Sequence, residues 1–201
     1  MSQLQRALEA LQTGGFVILQ DHPDRENEAD VLQAAQFATG ESINWLATHV
    51  RGLITVAVPE AILKRLDIPP LPVRYPVAHA PRFAEPVDAV TGTTTGASAF
   101  DRAVTVRKLA DPQARPEDFS RPGHIFPLMG MPGGLAERRG HTEGSIALAE
   151  LAGLTPVVVI CELMEPGGHM AAGEQVTQFA RQHDIPIATI EEIIQYTAGG
   201  G

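Results

Sequence analysis

The sequence predicts a single α/β domain over residues 1–201, α+β in some schemes, with a central sheet covered by helices. Two observations carry that expectation. Apolar runs of strand length at 16–19, 53–58 and 157–161 alternate with segments of helical period. No internal repeat and no linker-like shift of composition divides the chain. At 201 residues one core can form without disulfide staples.

The elements follow in order. Leu4, Leu8 and Leu11 form one helical stripe, which Gly14 and Gly15 end. Residues 16–19 (FVIL) read as a buried strand. Residues 21–30 (DHPDRENEAD) lack apolar side chains and read as a loop or an exposed strand edge. A helix is expected over 41–50, a buried strand over 53–58, and a short helix from Pro59 through Leu66. Prolines at 69, 70, 72, 76, 81 and 86 argue against helix or central strand over 67–90. A long loop is expected there, either a lid or a plain surface excursion. A helix should run to Ala110, where Asp111-Pro112 stops it. Residues 125–126 read as a short strand, and Thr142 as the N-cap of a buried helix ended by Gly153. Residues 157–161 give the strongest strand, Val176, Phe179 and Ala180 an amphipathic helix, and 185–190 a last strand.

Charge narrows the partners. Lys and Arg number 15 against 24 Asp and Glu, a net −9, which repels nucleic acid and anionic membranes. A phosphorylated metabolite would need a local basic cluster or a bound cation. No run of ~20 apolar residues is present, so no membrane span is expected. The first fifteen residues hold no apolar core, so no secretory signal is expected. The lone Cys161 makes no internal disulfide, and cytoplasm is the expected compartment. No P-loop is present, and no G-x-G-x-x-G follows a strand.

Four constellations could carry chemistry. Glu26, Glu28 and Asp30 alternate, so an extended segment would put them on one face. Such a patch suits a hard divalent cation; a solvated charged loop fits the spacing equally. Residues 138–143 (RRGHTE) precede a helix and suit an anion, or ordinary capping beside a surface arginine pair. His124 follows Pro122-Gly123, either as a functional group or as a satisfied core histidine. Glu162 ends a buried strand, at the rim where ligands bind in α/β sheets, or as a routine terminus.

Together, residues 24–30 (DRENEAD), 92–102 (GTTTGASAFDR), 121–128 (RPGHIFPL) and 140–143 (GHTE), followed by Leu151-Ala152-Gly153 and Cys161-Glu162, resemble the 3,4-dihydroxy-2-butanone 4-phosphate synthase family of riboflavin biosynthesis. The resemblance covers almost the whole chain. It implies a mixed sheet and a homodimer with interface active sites. It also implies Mg²⁺ (or Mn²⁺) as cofactor, and conversion of D-ribulose 5-phosphate to 3,4-dihydroxy-2-butanone 4-phosphate and formate. Residue by residue, Glu26 and His141 match metal ligands. Arg25, Glu26, Asp30, Thr95, Arg138, Arg139, Gly140, His141, Thr142 and Glu162 match substrate-binding positions, with Arg138 and Thr142 at the phosphate. His124, Glu162 and Asp30 match catalytic positions. These residue types suit enolisation, dehydration, skeletal rearrangement and loss of formate.

The chain departs from the family in three places. Ala29 replaces a glycine, which would cost about 1 kcal/mol if that residue takes positive φ. Thr55 stands where a cysteine is usual, and 72–90 lacks the amide and hydroxyl groups of the family's substrate loop. Two other readings follow from these differences. One is a divergent enzyme acting on another phosphorylated ketose or with a different outcome. The other is a non-catalytic dimeric binding protein, against which the joint presence of Glu26, His141, His124 and Glu162 speaks.

Overall fold

A computed structural model describes residues 2–74 and 80–199. Its frame is a seven-stranded mixed sheet of β1 (Val17–Gln20), β2 (Ala29–Ala34), β3 (Thr55–Pro59), β4 (Val87–Ala89), β5 (Phe119–Gly130), β6 (Val158–Glu162) and β7 (Ile187–Thr189). The strand order is β4-β5-β3-β6-β2-β1-β7. Pairs β3–β5 and β1–β7 are parallel; the rest are antiparallel.

Strand alternation divides the side chains between two cores. Val31, Val56, Val159 and Cys161 meet α2 (Gly40–Trp45), α3 (Glu60–Arg65), α4 (Ala99–Ala110) and α6 (Glu174–His183). Leu32, Ala57, Val158 and Ile160 meet α1 (Gln3–Gln12), α5 (His141–Leu151) and α7 (Ile190–Ala198). Burial on both faces explains the continuous apolar runs of β3 and β6. Local chemistry sets the helix starts. Ser2 opens α1 with a capping box to Gln5, and Ser98 caps α4 by accepting from the Asp101 N–H. Each such cap stabilises by about 1 kcal/mol.

Several expectations need correction. The proline-rich stretch is not loop throughout, because β4 forms immediately after Pro86 as an edge strand with a register shift. Before it, Ala84 donates to the Pro127 carbonyl and Met129 to the Arg82 carbonyl, which ties 82–84 to β5. The tip at 75–79, including Pro76, lies outside the described residues. The expected two-residue strand at 125–126 is part of the twelve-residue β5, despite Pro122 and Pro127. A residue's N–H and C=O point to the same neighbour, so the N–H missing at Pro127 falls on the irregular 82–84 side. Pairing with β3 is thereby kept. Thr142 is not an N-cap: α5 starts at His141, with Gly140 at the cap, two residues earlier than expected. The last strand stops at Thr189, whose capping box with Glu192 starts α7, a helix the isoleucine-rich run disguised.

Candidate active site

The sheet register brings two carboxylates face to face. Antiparallel pairing of β2 with β6 sets Asp30 opposite Glu162. Pairing of β3 with β6 sets Thr55 opposite Ile160. All four positions fall on the α5 side, where a cavity of about 280 Å³ opens. The 21–28 segment adds Arg25, Glu26 and Glu28 to its lining, and the turn into α5 adds Arg138, His141 and Thr142. Pro81, Phe83 and Leu128 form an apolar wall.

The acidic segment is held by Asp21, to which the sequence pattern gives no role. Asp21 Oδ1 accepts the Glu28 N–H at 2.9 Å; its Oδ2 accepts the Glu26 N–H at 3.1 Å and Arg25 Nη1 at 2.9 Å. Burial opposes its ionisation, but these hydrogen bonds and the nearby His141 leave its carboxyl below the ordinary value. Asn27 takes positive φ, so the turn falls there and not at Ala29. Ala29 lies in β2, paired with Gln20 and fully buried, so its substitution for glycine introduces no strain.

Gly52 is required by close approach of backbone, and Gly140 leaves room for two arginine side chains. A Cβ on Gly140 would collide with the Arg138 guanidinium and reach 3.1 Å from Arg25 Nη2. Two cationic groups thus pass over the N-terminus of α5, which itself favours anions. Glu143 anchors this turn, accepting from Arg138 at 2.7 Å and from the Met131 N–H at 3.1 Å. A Cβ on Gly52 would collide with the Glu162 backbone, and the Leu53 N–H holds Glu162 Oε2 at 2.8 Å.

Charge crowding marks the cavity. Burial, then the charges of Glu162, Glu28 and Glu26 against the opposing pull of His141, push the Asp30 carboxyl up to about 6. Burial and Glu26 raise that of Glu28. Among the described residues, Asp21, Glu26 and His141 offer ligand atoms within 4.8 Å of one another. His141 Nε2 and Asp30 Oδ1 are buried and find no partner among those residues. Carboxylate oxygens with one imidazole suit a hard divalent cation, whose charge would relieve the crowding. These residues therefore fit such an ion. Thr55 lines the cavity with its hydroxyl turned to the Ile160 carbonyl at 3.4 Å.

Three expected site residues lie elsewhere. Arg139 is exposed and sits 3.8 Å from Glu191 of α7. Thr95 is exposed on the loop before α4. His124 stands on β5 against Asp88 of β4, with Nδ1 2.7 Å from Asp88 Oδ2. Neither Thr95 nor His124 lines the cavity. Nothing in the sequence singles out Asp88, because it falls in the segment that proline density marks as loop.

The sequence profile of 3,4-dihydroxy-2-butanone 4-phosphate synthase matches residues 5–196. The chain belongs to that family. The synthase of Vibrio cholerae serotype O1 is 41% identical over 196 residues, covering 98% of this chain and 90% of the relative. That of Wolinella succinogenes is also 41% identical over 196 residues, but the match spans 56% of its length. The chain thus covers only about half of some relatives, including a two-domain synthase from A. baumannii. That structure superposes with TM-score 0.94 and 39% identity over all of this chain and 59% of its own. A synthase structure holding two magnesium ions superposes with TM-score 0.92 and 36% identity, covering 100% of this chain and 98% of that one. Members of the synthase family are enzymes of riboflavin biosynthesis, and this chain shares their mixed α/β fold.

Proposed function

We propose that this protein converts D-ribulose 5-phosphate to 3,4-dihydroxy-2-butanone 4-phosphate and formate with Mg²⁺ (or Mn²⁺). Residues 1–201 act as one domain of the family, in the cytoplasm, without nucleic acid or membrane. The observation that carries this reading is one small cavity. It combines Glu26, Glu28, Asp30 and Glu162 with His141, Arg25 and Arg138.

Glu26 and His141 hold the metal ion. When bound, the ion polarises the substrate carbonyl and acidifies the neighbouring C–H bonds. Arg138, Thr142 and Arg25, at the N-terminus of α5, take the phosphate. Asp30 and Glu162 move protons during enolisation and dehydration. Without the ion, burial and the neighbouring carboxylates push the Asp30 carboxyl up to about 6, and a cation beside it would draw that value down. The wall of Pro81, Phe83 and Leu128 keeps water from the reacting carbons.

His124 and Thr95 complete the site from a second protomer of a homodimer. This is supported by their exposure outside the cavity, with exposed apolar Phe100 and Val90 close by in the chain. The experiment is incubation with ribulose 5-phosphate and Mg²⁺ at high enzyme concentration, reading formate. Its absence sinks the reading. A second reading, another phosphorylated ketose as substrate, is favoured by the Pro81–Phe83 wall, which comes from the divergent segment. A substrate panel decides between them, and a wide margin for ribulose 5-phosphate eliminates the alternative.

A further inference from the structure

We propose that Asp88 is the positioning residue of His124, holding its ring in one orientation and one neutral tautomer with Nε2 as the open acceptor. Asp88 Oδ1 accepts the His124 backbone N–H at 2.8 Å, and Oδ2 meets the ring Nδ1 at 2.7 Å. The first bond ties the carboxylate to the backbone of the residue it serves. Its second oxygen is thereby aimed at that residue's own ring. An ionised carboxylate only accepts hydrogen bonds, so in the neutral ring the proton sits on Nδ1 and the lone pair on Nε2. The Asp88 side chain is 11% exposed and that of His124 49%, so the carboxylate anchors the pair inward while the ring stays half-exposed.

The Thr/Gly segment before α4 covers this bond. Gly96 has φ of +82°, and a Cβ there would collide with Asp88 Oδ2 and lie 2.8 Å from His124 Nδ1. Asp101 Oδ2 holds the segment down, accepting from the Thr94 N–H and hydroxyl and from the Gly96 N–H. Bare backbone therefore lies against the carboxylate–imidazole contact and covers it from one side. Partial burial strengthens such a bond relative to one in water. The glycines, threonines and aspartate of 92–102 thus build the cover that lets Asp88 hold the ring.

The assignment rests on the proposed role of His124 in turnover, and two readouts separate it from that role. Asp88→Asn keeps the shape, but its amide cannot accept from both the ring and the backbone. Formate release should fall in kcat by about 100-fold with KM changed by less than about twofold. In ¹⁵N-histidine-labelled wild-type protein, the neutral His124 signal should show a protonated Nδ1 and a bare Nε2. Asp88→Asn should mix the two tautomers. A wild-type ring protonated at Nε2, or an Asp88→Asn kcat within about threefold of wild type, overturns the proposal. The wild-type spectrum needs no variant, so it decides even if Asp88→Asn fails to fold. A wild-type protein that releases no formate refutes the proposed reaction instead, and the tautomer then judges Asp88 alone.

Discussion

Beside α5, four carboxylates share a small cavity with two arginines and a histidine, and the buried His141 Nε2 and Asp30 Oδ1 find no partner among the described residues. At the His124 edge, by contrast, both carboxylates have their donors: Asp88 from His124, Asp101 from Thr94 and Gly96. The carboxylates of the first region crowd one another, and those of the second are each met by donors. Unpartnered atoms of an acid and an imidazole, set among like charges in one cavity, suit a cationic ligand, so the cavity reads as a receptacle. The satisfied edge reads as a rigid support that presents a group outward. Both regions are acidic in composition, and only the fate of each carboxylate distinguishes them.

The largest expected effect separates chemistry from metal holding inside the cavity. Glu162→Gln should lower kcat by about 10³-fold and leave Mg²⁺ affinity by calorimetry unchanged. Near-normal turnover would remove Glu162 from the chemistry. His141→Ala should instead weaken Mg²⁺ binding by about 10- to 100-fold, and unaltered affinity would show that the imidazole is no ligand.

Asp30 tests the conflict directly. Its carboxyl titrates at about 6 when folded against an ordinary 3.8, so the fold disfavours the ionised form. The penalty is absent below about pH 4, grows through pH 6 and is complete above it. Metal-free Asp30→Asn protein should therefore exceed wild type in stability at pH 8 by about 2–3 kcal/mol and match it near pH 4. Chemical denaturation at the two pH values checks this, and a variant less stable than wild type at pH 8 would break the contrast between the regions. The smallest effect belongs to Arg139→Ala. An exposed arginine 3.8 Å from Glu191 should contribute less than about 0.5 kcal/mol to stability. A large rise in KM would return Arg139 to the substrate site.

Much of this contrast is legible in the residues. Glu26, Glu28 and Asp30 do meet Arg138, His141 and Thr142 in one cavity, but a turn with Asn27 at positive φ gathers the carboxylates and not the alternation of an extended segment. The partner of His124 is not legible. Asp88 reaches it from 36 positions away, through an edge strand that proline density conceals. Nor is the work of Asp21, whose carboxylate gathers two backbone N–H groups as well as Arg25, because bonds to backbone leave no mark in side-chain spacing. Ala29 shows the reverse error. A lost glycine suggests strain, but the positive φ belongs to Asn27.

Strand β5 links the two regions and sets a metric for them. Leu128 lines the cavity and His124 meets Asp88, four positions apart on the same strand face. At about 3.3 Å per residue their backbones stand about 13 Å apart. Their phase is coupled as well as their distance, with His124 next to the register shift between β4 and β5. One residue inserted or deleted between them would rotate one of the two through the sheet to the opposite face. Side chains along this stretch can therefore change more freely than its length, and Ile125, Phe126 and Pro127 occupy that interval.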